Sequence, residues 1–117
     1  VLVVDDSAVA RVLVRRALER LGVHVFEAGS IAEANAVEST TYDAALLDLE
    51  LGSESGVALA HLLRAVRPAL PIAFFTAGAD ASVQAEAPAL GPVFRKPEQL
   101  ESACAWVHAA AASTARA

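Results

Sequence analysis

The sequence predicts one α/β domain, an open, parallel, doubly wound sheet with helices on both faces. Three observations carry that expectation. Short aliphatic runs alternate five times with stretches of helical periodicity, and no long linker separates them. The first and third runs, VLVV and AALL, are apolar without alternation, as in strands buried on both faces. With 117 residues, 56% of them hydrophobic and 20% charged, the chain can build one core but not two full domains.

Val1 to Val4 is the first strand (β1). Ser7 is placed to cap a helix from Ala8 to Leu21 (α1), in which Val14, Ala17, Leu18 and Leu21 form an inward stripe while Arg11, Arg15 and Arg16 lie off it. Gly22 stops that helix. Val23 to Glu27 reads as β2, Ser30 to Glu38 as α2, and Ala44 to Leu47 as β3, which ends in Asp48. The third helix (α3) is expected over Ser55 to Arg67, with Leu59, Leu62, Leu63 and Val66 on one face and Pro68 ending it. Pro71 to Thr76 is β4, and Asp80 to Ala87 is a short α4 cut off before Pro88. Pro92 to Arg95 is a brief β5. Leu100, Ala103, Cys104 and Val107 then face inward from α5, which is expected to fray into Ala109 to Ala117.

Charge and cysteine content exclude whole classes of function. Nine basic against fourteen acidic side chains give −5, the wrong sign for gripping nucleic acid or an anionic membrane surface. No uncharged apolar stretch reaches membrane-spanning length. A lone cysteine, Cys104, cannot form an internal disulfide and reads as a small core residue. With no leader-like segment, the expected compartment is the cytoplasm. His24, His61 and His108 fall on separate elements without ligand spacing, so they read as surface or boundary residues.

In sheets of this class, ligands bind beyond the carboxyl ends of the strands. There the sequence places Asp5-Asp6 after β1, Asp48 after β3, Thr76 at the end of β4 and Lys96-Pro97 after β5. Lys96 is the only lysine beside eight arginines. Carboxylates crowded into one crevice repel by about 4 kcal/mol per pair at ~4 Å and an effective dielectric of 20, which a divalent cation relieves. Oxygen-only donors point to a hard ion, Mg²⁺ or Mn²⁺. A cation, a hydroxyl and an ammonium around one further carboxylate suit a phosphoryl group, with Asp48 as the natural nucleophile. Each piece alone has a plainer reading, as a cap, a β-former or a solvated charge; the combination does not.

The runs VLVVDDS, ALLDLELGSESG, FFTAG and FRKP, in this order and spacing, resemble the receiver (response-regulator) domain of two-component signalling. The resemblance spans essentially the whole chain. It implies a flavodoxin-like (βα)5 sheet of strand order 2-1-3-4-5, with the receiver over 1–112 and a tail or linker over 113–117. It implies that Asp48 accepts a phosphoryl group from a phosphohistidine, that Asp6 binds Mg²⁺ directly, Asp5 largely through water, and Glu50 through its main-chain carbonyl. It further implies that Thr76, the backbone N–H of Ala77 and Lys96 hold the phosphoryl group, and that the Lys96-Pro97 bond is cis. The implied partners are a sensor histidine kinase or a histidine phosphotransfer protein, and a homodimer or output partner on the face of α4, β5 and α5. Val1 begins almost on β1, which suggests a receiver cut from a larger regulator or hybrid kinase.

Three departures bear on the switch. Gly52 stands where receivers often carry proline, which predicts a mobile loop over Leu51 to Ser55. Val93 occupies the usual switch-aromatic position, and Phe94 falls one place later on the opposite side of the strand. The segment Gly78 to Gly91 is alanine-rich and short for a helix, so partial disorder is expected there. Three other readings share parts of the pattern. A haloacid-dehalogenase-like phosphatase wants Asp-x-Asp, whereas Asp48-Leu49-Glu50 offers Glu. An electron carrier needs a hydroxyl-rich phosphate loop after β1, where Asp5-Asp6 would repel FMN phosphate. A phosphate-independent interaction module has no need of the full acceptor set. Asp5 and Asp6 are expected to act through the metal rather than through the fold.

Overall fold

The computed structural model describes residues 1–116. Its sheet contains β1 (Leu2–Val4), β2 (Phe26–Ala28), β3 (Ala45–Leu47), β4 (Ile72–Thr76) and β5 (Val93–Arg95), all parallel. β1 pairs with both β2 and β3, Leu2 facing Phe26 on one side and Ala45 on the other; β3 then pairs with β4, and β4 with β5. The order 2-1-3-4-5 expected for a doubly wound sheet is therefore present.

The pleat divides the apolar residues between two cores. Val1, Val3, Leu46, Ala73 and Phe75 pack with Val14 and Leu18 of α1 (Ala8–Arg20) and with Ala103, Cys104 and Val107 of α5 (Leu100–Arg116). Leu2, Val4, Leu47, Ile72 and Phe74 pack on the opposite side with residues of α2 (Ile31–Ala36), α3 (Gly56–Val66) and α4 (Ala81–Leu90). Burial raises the Cys104 thiol to about 11, in keeping with a core role. The first four helices are started by short polar side chains: Ser7, Ser30, Ser55 and Asp80 accept from Ala10, Glu33, Val57 and Val83 backbone N–H groups respectively.

Several boundaries and faces differ from expectation. β2 begins at Phe26 rather than Val23, because the Val23 N–H is spent on Leu18 O at the end of α1 and the first ladder acceptor, Val1 O, is reached only by Phe26. Leu21 is exposed, since α1 ends before it. On α3, Leu62 and Val66 are exposed, and Val57, Leu59, Ala60 and Leu63 supply the buried stripe. α4 is a regular helix that runs through Pro88 to Leu90 and is capped by Gly91. Proline there loses one backbone bond near a helix end, where that loss is smallest. Likewise α5 does not fray at Ala109 but continues to Arg116; Ala117 lies outside the described residues.

The segment after Asp48 forms a two-stranded antiparallel ribbon, Glu50–Leu51 with Glu54–Ser55. Its turn holds Gly52 at φ +66, a value that proline cannot adopt. At the end of the ribbon, α3 packs directly on the acceptor strand. The Gly56 N–H donates to Leu49 O at 2.9 Å, and a Cβ at Gly56 would sit 2.0 Å from Asp48 O. Gly56→Ala should therefore cost about 1–3 kcal/mol through forced backbone displacement. Urea denaturation gives the answer, and an unchanged midpoint would show that the contact yields without cost.

Candidate functional site

Parallel pairing aligns the carboxyl ends of the strands, and short backbone bonds fix the residues just beyond them. Asp5 N donates to Ala28 O at 3.1 Å, Asp48 N to Val4 O at 2.9 Å and Lys96 N to Thr76 O at 2.9 Å. Each polar residue is thus tied to the neighbouring strand before its side chain makes any contact. Asp5, Asp48 and Thr76 are buried, at 4%, 8% and 5% exposure, and are the chain's buried polar residues among those described.

Lys96 joins two of the carboxylates. Its ammonium donates to Asp5 Oδ2 and, at 2.9 Å, to Asp48 Oδ2. The remaining oxygens are held by backbone: Asp5 Oδ1 accepts from Ser7 N at 2.9 Å, and Asp48 Oδ1 from Glu50 N at 3.1 Å. Burial by itself would lower the pKa of Lys96. Hydrogen bonding and attraction from Asp5 and Asp48 outweigh it and hold the ammonium above its ordinary range. Its stabilising contribution is then fully present below the unfolded lysine value and is lost only as pH rises through the raised folded value. The ammonium also lies 5.7 Å from the centre of the Phe75 ring.

Asp6 is exposed, yet one carboxylate oxygen each from Asp5, Asp6 and Asp48 falls within 4.8 Å of the others. Three convergent carboxylates without nitrogen or sulfur donors fit Mg²⁺ or Mn²⁺. Glu50 is exposed, two residues beyond Asp48 at the start of the ribbon. The Thr76 hydroxyl donates to Gly78 O at 3.0 Å and accepts from Gly78 N at 3.2 Å, so it is tied to the loop after β4. Ala77 is exposed in that loop, and the Lys96-Pro97 bond is cis. Val93 is 36% exposed while Phe94 packs into the α1/α5 core, as their alternation along β5 requires.

Three contributors escape motif reading. Ser7 acts through its backbone N–H on Asp5 as well as by its cap, Arg11 donates to Asp5 O at 2.5 Å, and Gly56 gives Asp48 its close-packed support. The off-stripe placement of Arg11 on α1 was its only sequence signal. Beside it, Glu27 pairs with Arg11 at 3.4 Å and with Arg15 at 2.6 Å, joining α1 to β2 behind Asp5.

The profile of the response regulator receiver domain matches residues 1–105. A receiver domain protein from Clostridium thermocellum superposes with a TM-score of 0.84 at 20% identity, over 98% of this chain and 95% of that one. The receiver domain of NtrX from Brucella abortus gives 0.82 at 23% identity, over 96% and 98%. A response regulator from Burkholderia pseudomallei, whose structure contains a phosphorylated aspartic acid, a calcium ion and citrate, gives 0.74 at 28% identity, over 98% and 69%. A comparison with curated proteins found no match. Among the described residues no helix is long and apolar enough to cross a membrane.

The site separates the roles expected jointly of Asp5 and Asp6. Asp5 is part of the fold, because its removal strands the Ser7 N–H and half of the Lys96 pairing. Asp5→Ala should lose about 1–3 kcal/mol of stability. Asp6→Ala, at an exposed carboxylate in a repelling cluster, should leave the metal-free protein as stable or more so while weakening Mg²⁺ binding. Thermal melts and Mg²⁺ titration of both variants distinguish the two. Equal losses of stability, or parental Mg²⁺ affinity in Asp6→Ala, would contradict this division.

Proposed function

The chain belongs to the response regulator receiver family, and on that footing we propose that it is the phosphoacceptor domain of a two-component or phosphorelay system, with Asp48 as the acceptor. The observation that carries this reading is the buried Asp48 carboxylate, held at the sheet edge by a backbone N–H and an ammonium and faced by two further carboxylates. A phosphorylated aspartic acid in the 28% identical Burkholderia protein supports it.

In this mechanism an Asp48 carboxylate oxygen attacks phosphorus in line. The new O–P bond forms as the P–N bond of the donor phosphohistidine breaks, and the imidazole leaves with the electron pair. Asp5, Asp6, Asp48 and the Glu50 main-chain carbonyl would hold Mg²⁺ or Mn²⁺, which when bound offsets the negative charge that gathers on the phosphoryl oxygens. Lys96 pairs with one phosphoryl oxygen, the Thr76 hydroxyl with another, and the Ala77 N–H adds a third donor. To do so Thr76 must turn its one hydroxyl proton away from Gly78 O, while Lys96 brings its third N–H donor to bear or redirects one of the two it gives to Asp5 and Asp48. The site and its surroundings are therefore coupled through those two side chains. The chain's chemistry is its own phosphorylation and dephosphorylation, and it acts on no separate metabolite.

The reading extends to a cytoplasmic location, a sensor histidine kinase or histidine phosphotransfer protein as donor, and no nucleic acid or membrane contact by this domain. The receiver unit is taken as 1–112, with 113–117 leading into a linker. The signal leaves through the face of α4, β5 and α5, where a homodimer or output partner docks. With Val93 in place of an aromatic, the pull from Thr76 and Lys96 acts mainly on backbone from Ala77 to Asp80 and on the loop before Glu98.

Incubation with Mg²⁺ and a small phosphodonor should add one phosphoryl mass, removed by hydroxylamine, to the parent and none to Asp48→Asn. Equal labelling of that variant would refute the assignment. Amide exchange with Mg²⁺ and beryllofluoride should change protection along α4, β5 and α5. Changes confined to Leu51 to Ser55 would refute the signalling face.

A further inference from the structure

Of the three carboxylates at the sheet edge, Asp6 is the one held least directly. Asp5 is fixed by Ala28 O, Ser7 N and Lys96, and Asp48 by Val4 O, Glu50 N and Lys96. Asp6 is exposed, and among the described residues neither its N–H nor its carboxylate has a hydrogen-bond or ion-pair partner. One of its carboxylate oxygens nevertheless falls within 4.8 Å of those of Asp5 and Asp48. Whatever aims it must act through the backbone on either side.

Arg11 holds that backbone on both sides. Its guanidinium donates from Nη1 to Asp5 O at 2.5 Å, the carbonyl of the peptide that leads into Asp6. Its own N–H donates to Ser7 O at 3.0 Å, one residue beyond Asp6. The contact with Asp5 O stands in place of a better ion pair. Glu27 Oε1 lies 3.4 Å from Arg11 Nε, yet that Nε is buried without a hydrogen-bond partner, whereas a guanidinium facing a carboxylate commonly pairs through two parallel N–H bonds. The other Glu27 oxygen goes to Arg15 at 2.6 Å. Gly29 leaves room for this placement, since a Cβ there would lie 3.0 Å from Arg11 Nη1. The guanidinium is thus seated on the peptide between Asp5 and Asp6 rather than squarely on Glu27.

We propose that Arg11 is a positioning residue for the metal site, fixing through Asp5 O the peptide that aims the Asp6 carboxylate toward Asp5 and Asp48. It acts through Asp5 and Asp6, from behind the carboxylates. Groups that orient metal ligands from behind carry roughly 10- to 100-fold in metal affinity. The inference deepens the phosphoacceptor reading and rests on it for the metal. Its sign separates it from plain electrostatics. A cation beside the carboxylates repels a divalent ion, so losing the Arg11 charge would by itself tighten Mg²⁺ binding, whereas losing the positioning weakens it.

The test uses the full chain with Mg²⁺ alone as the probe, titrated while amide resonances are followed. Arg11→Met should weaken Mg²⁺ binding by ~10-fold. Arg16→Gln removes the same charge from the exposed face of the same helix and should leave binding unchanged or tighter. Arg11→Lys keeps the charge, but an ammonium lacks the fork that reaches Asp5 O from beside Glu27, so it should also weaken binding and decides the matter if Arg11→Met does not fold. Labelling by a small phosphodonor should need ~10-fold more Mg²⁺ in Arg11→Met and regain the parental rate at saturating Mg²⁺, a split that damage to the fold would not give. In the metal-free protein, ¹⁵N relaxation of the Asp6 amide should show greater mobility in both Arg11 variants and not in Arg16→Gln. Parental or tighter Mg²⁺ affinity in both Arg11 variants would overturn the proposal and leave the acceptor reading standing. An equal loss of affinity in Arg16→Gln would overturn it too, since the effect would then follow helix charge. If the parent binds no Mg²⁺, the metal reading fails and the Asp6 amide decides: greater mobility in the Arg11 variants upholds the positioning, and unchanged mobility overturns it.

Discussion

A single half-buried ammonium reconciles two buried carboxylates that would otherwise repel each other at the edge of the sheet. Lys96 reaches Asp5 and Asp48 from the far side of the crevice, after β5, and so ties the first, third and fifth strands together through side chains. Removing either carboxylate leaves the ammonium half of its pairing and strands a backbone N–H, a loss of about 1–3 kcal/mol. That makes the crevice dependent on its own charge balance. Any group that supplies positive charge to Asp5 and Asp48, or new negative charge for Lys96, can rearrange it. A divalent cation does the first and a phosphoryl group the second.

The remainder of the fold holds those three side chains in register. Parallel ladders bring the strand ends level, backbone bonds from Asp5, Asp48 and Lys96 fix each main chain, and Gly56 lets α3 close against Asp48. The Glu27 pairs with Arg11 and Arg15 brace α1 from behind, and Arg11 reaches on to Asp5 O. The loops after β4 and β5 carry Thr76, Ala77 and Lys96, and they line a groove beside α4.

Much of this was legible in the sequence. Uninterrupted aliphatic runs marked β1 and β3, and polar residues immediately after the strands fell on one edge because a parallel sheet puts all carboxyl ends together. Ser7 marked the start of α1 as its cap, while Ser30, Ser55 and Asp80, read as first helical residues, stand one place earlier as caps. What local pattern could not supply was tertiary. Leu62 and Val66 share a helical face with Leu63 by spacing, but the core meets α3 through Val57, Leu59, Ala60 and Leu63. Pro88 read as a helix end, whereas the helix tolerates it one turn before Gly91. Gly52 also permits a turn at positive φ within a two-stranded ribbon that local pattern did not mark. Asp5 and Asp6 are adjacent and chemically identical, and only the fold shows that one is buried under Lys96 and the other faces solvent.

Because the chain has one lysine, its side-chain ammonium gives one signal in a ¹⁵N-detected spectrum and needs no assignment. The account predicts that this signal moves when Mg²⁺ and beryllofluoride are added together, as the Lys96 ammonium turns toward the phosphoryl mimic, and that Asp48→Asn abolishes the movement. An ammonium signal that stays in place in the parent under conditions where beryllofluoride is bound would contradict the central role given to Lys96.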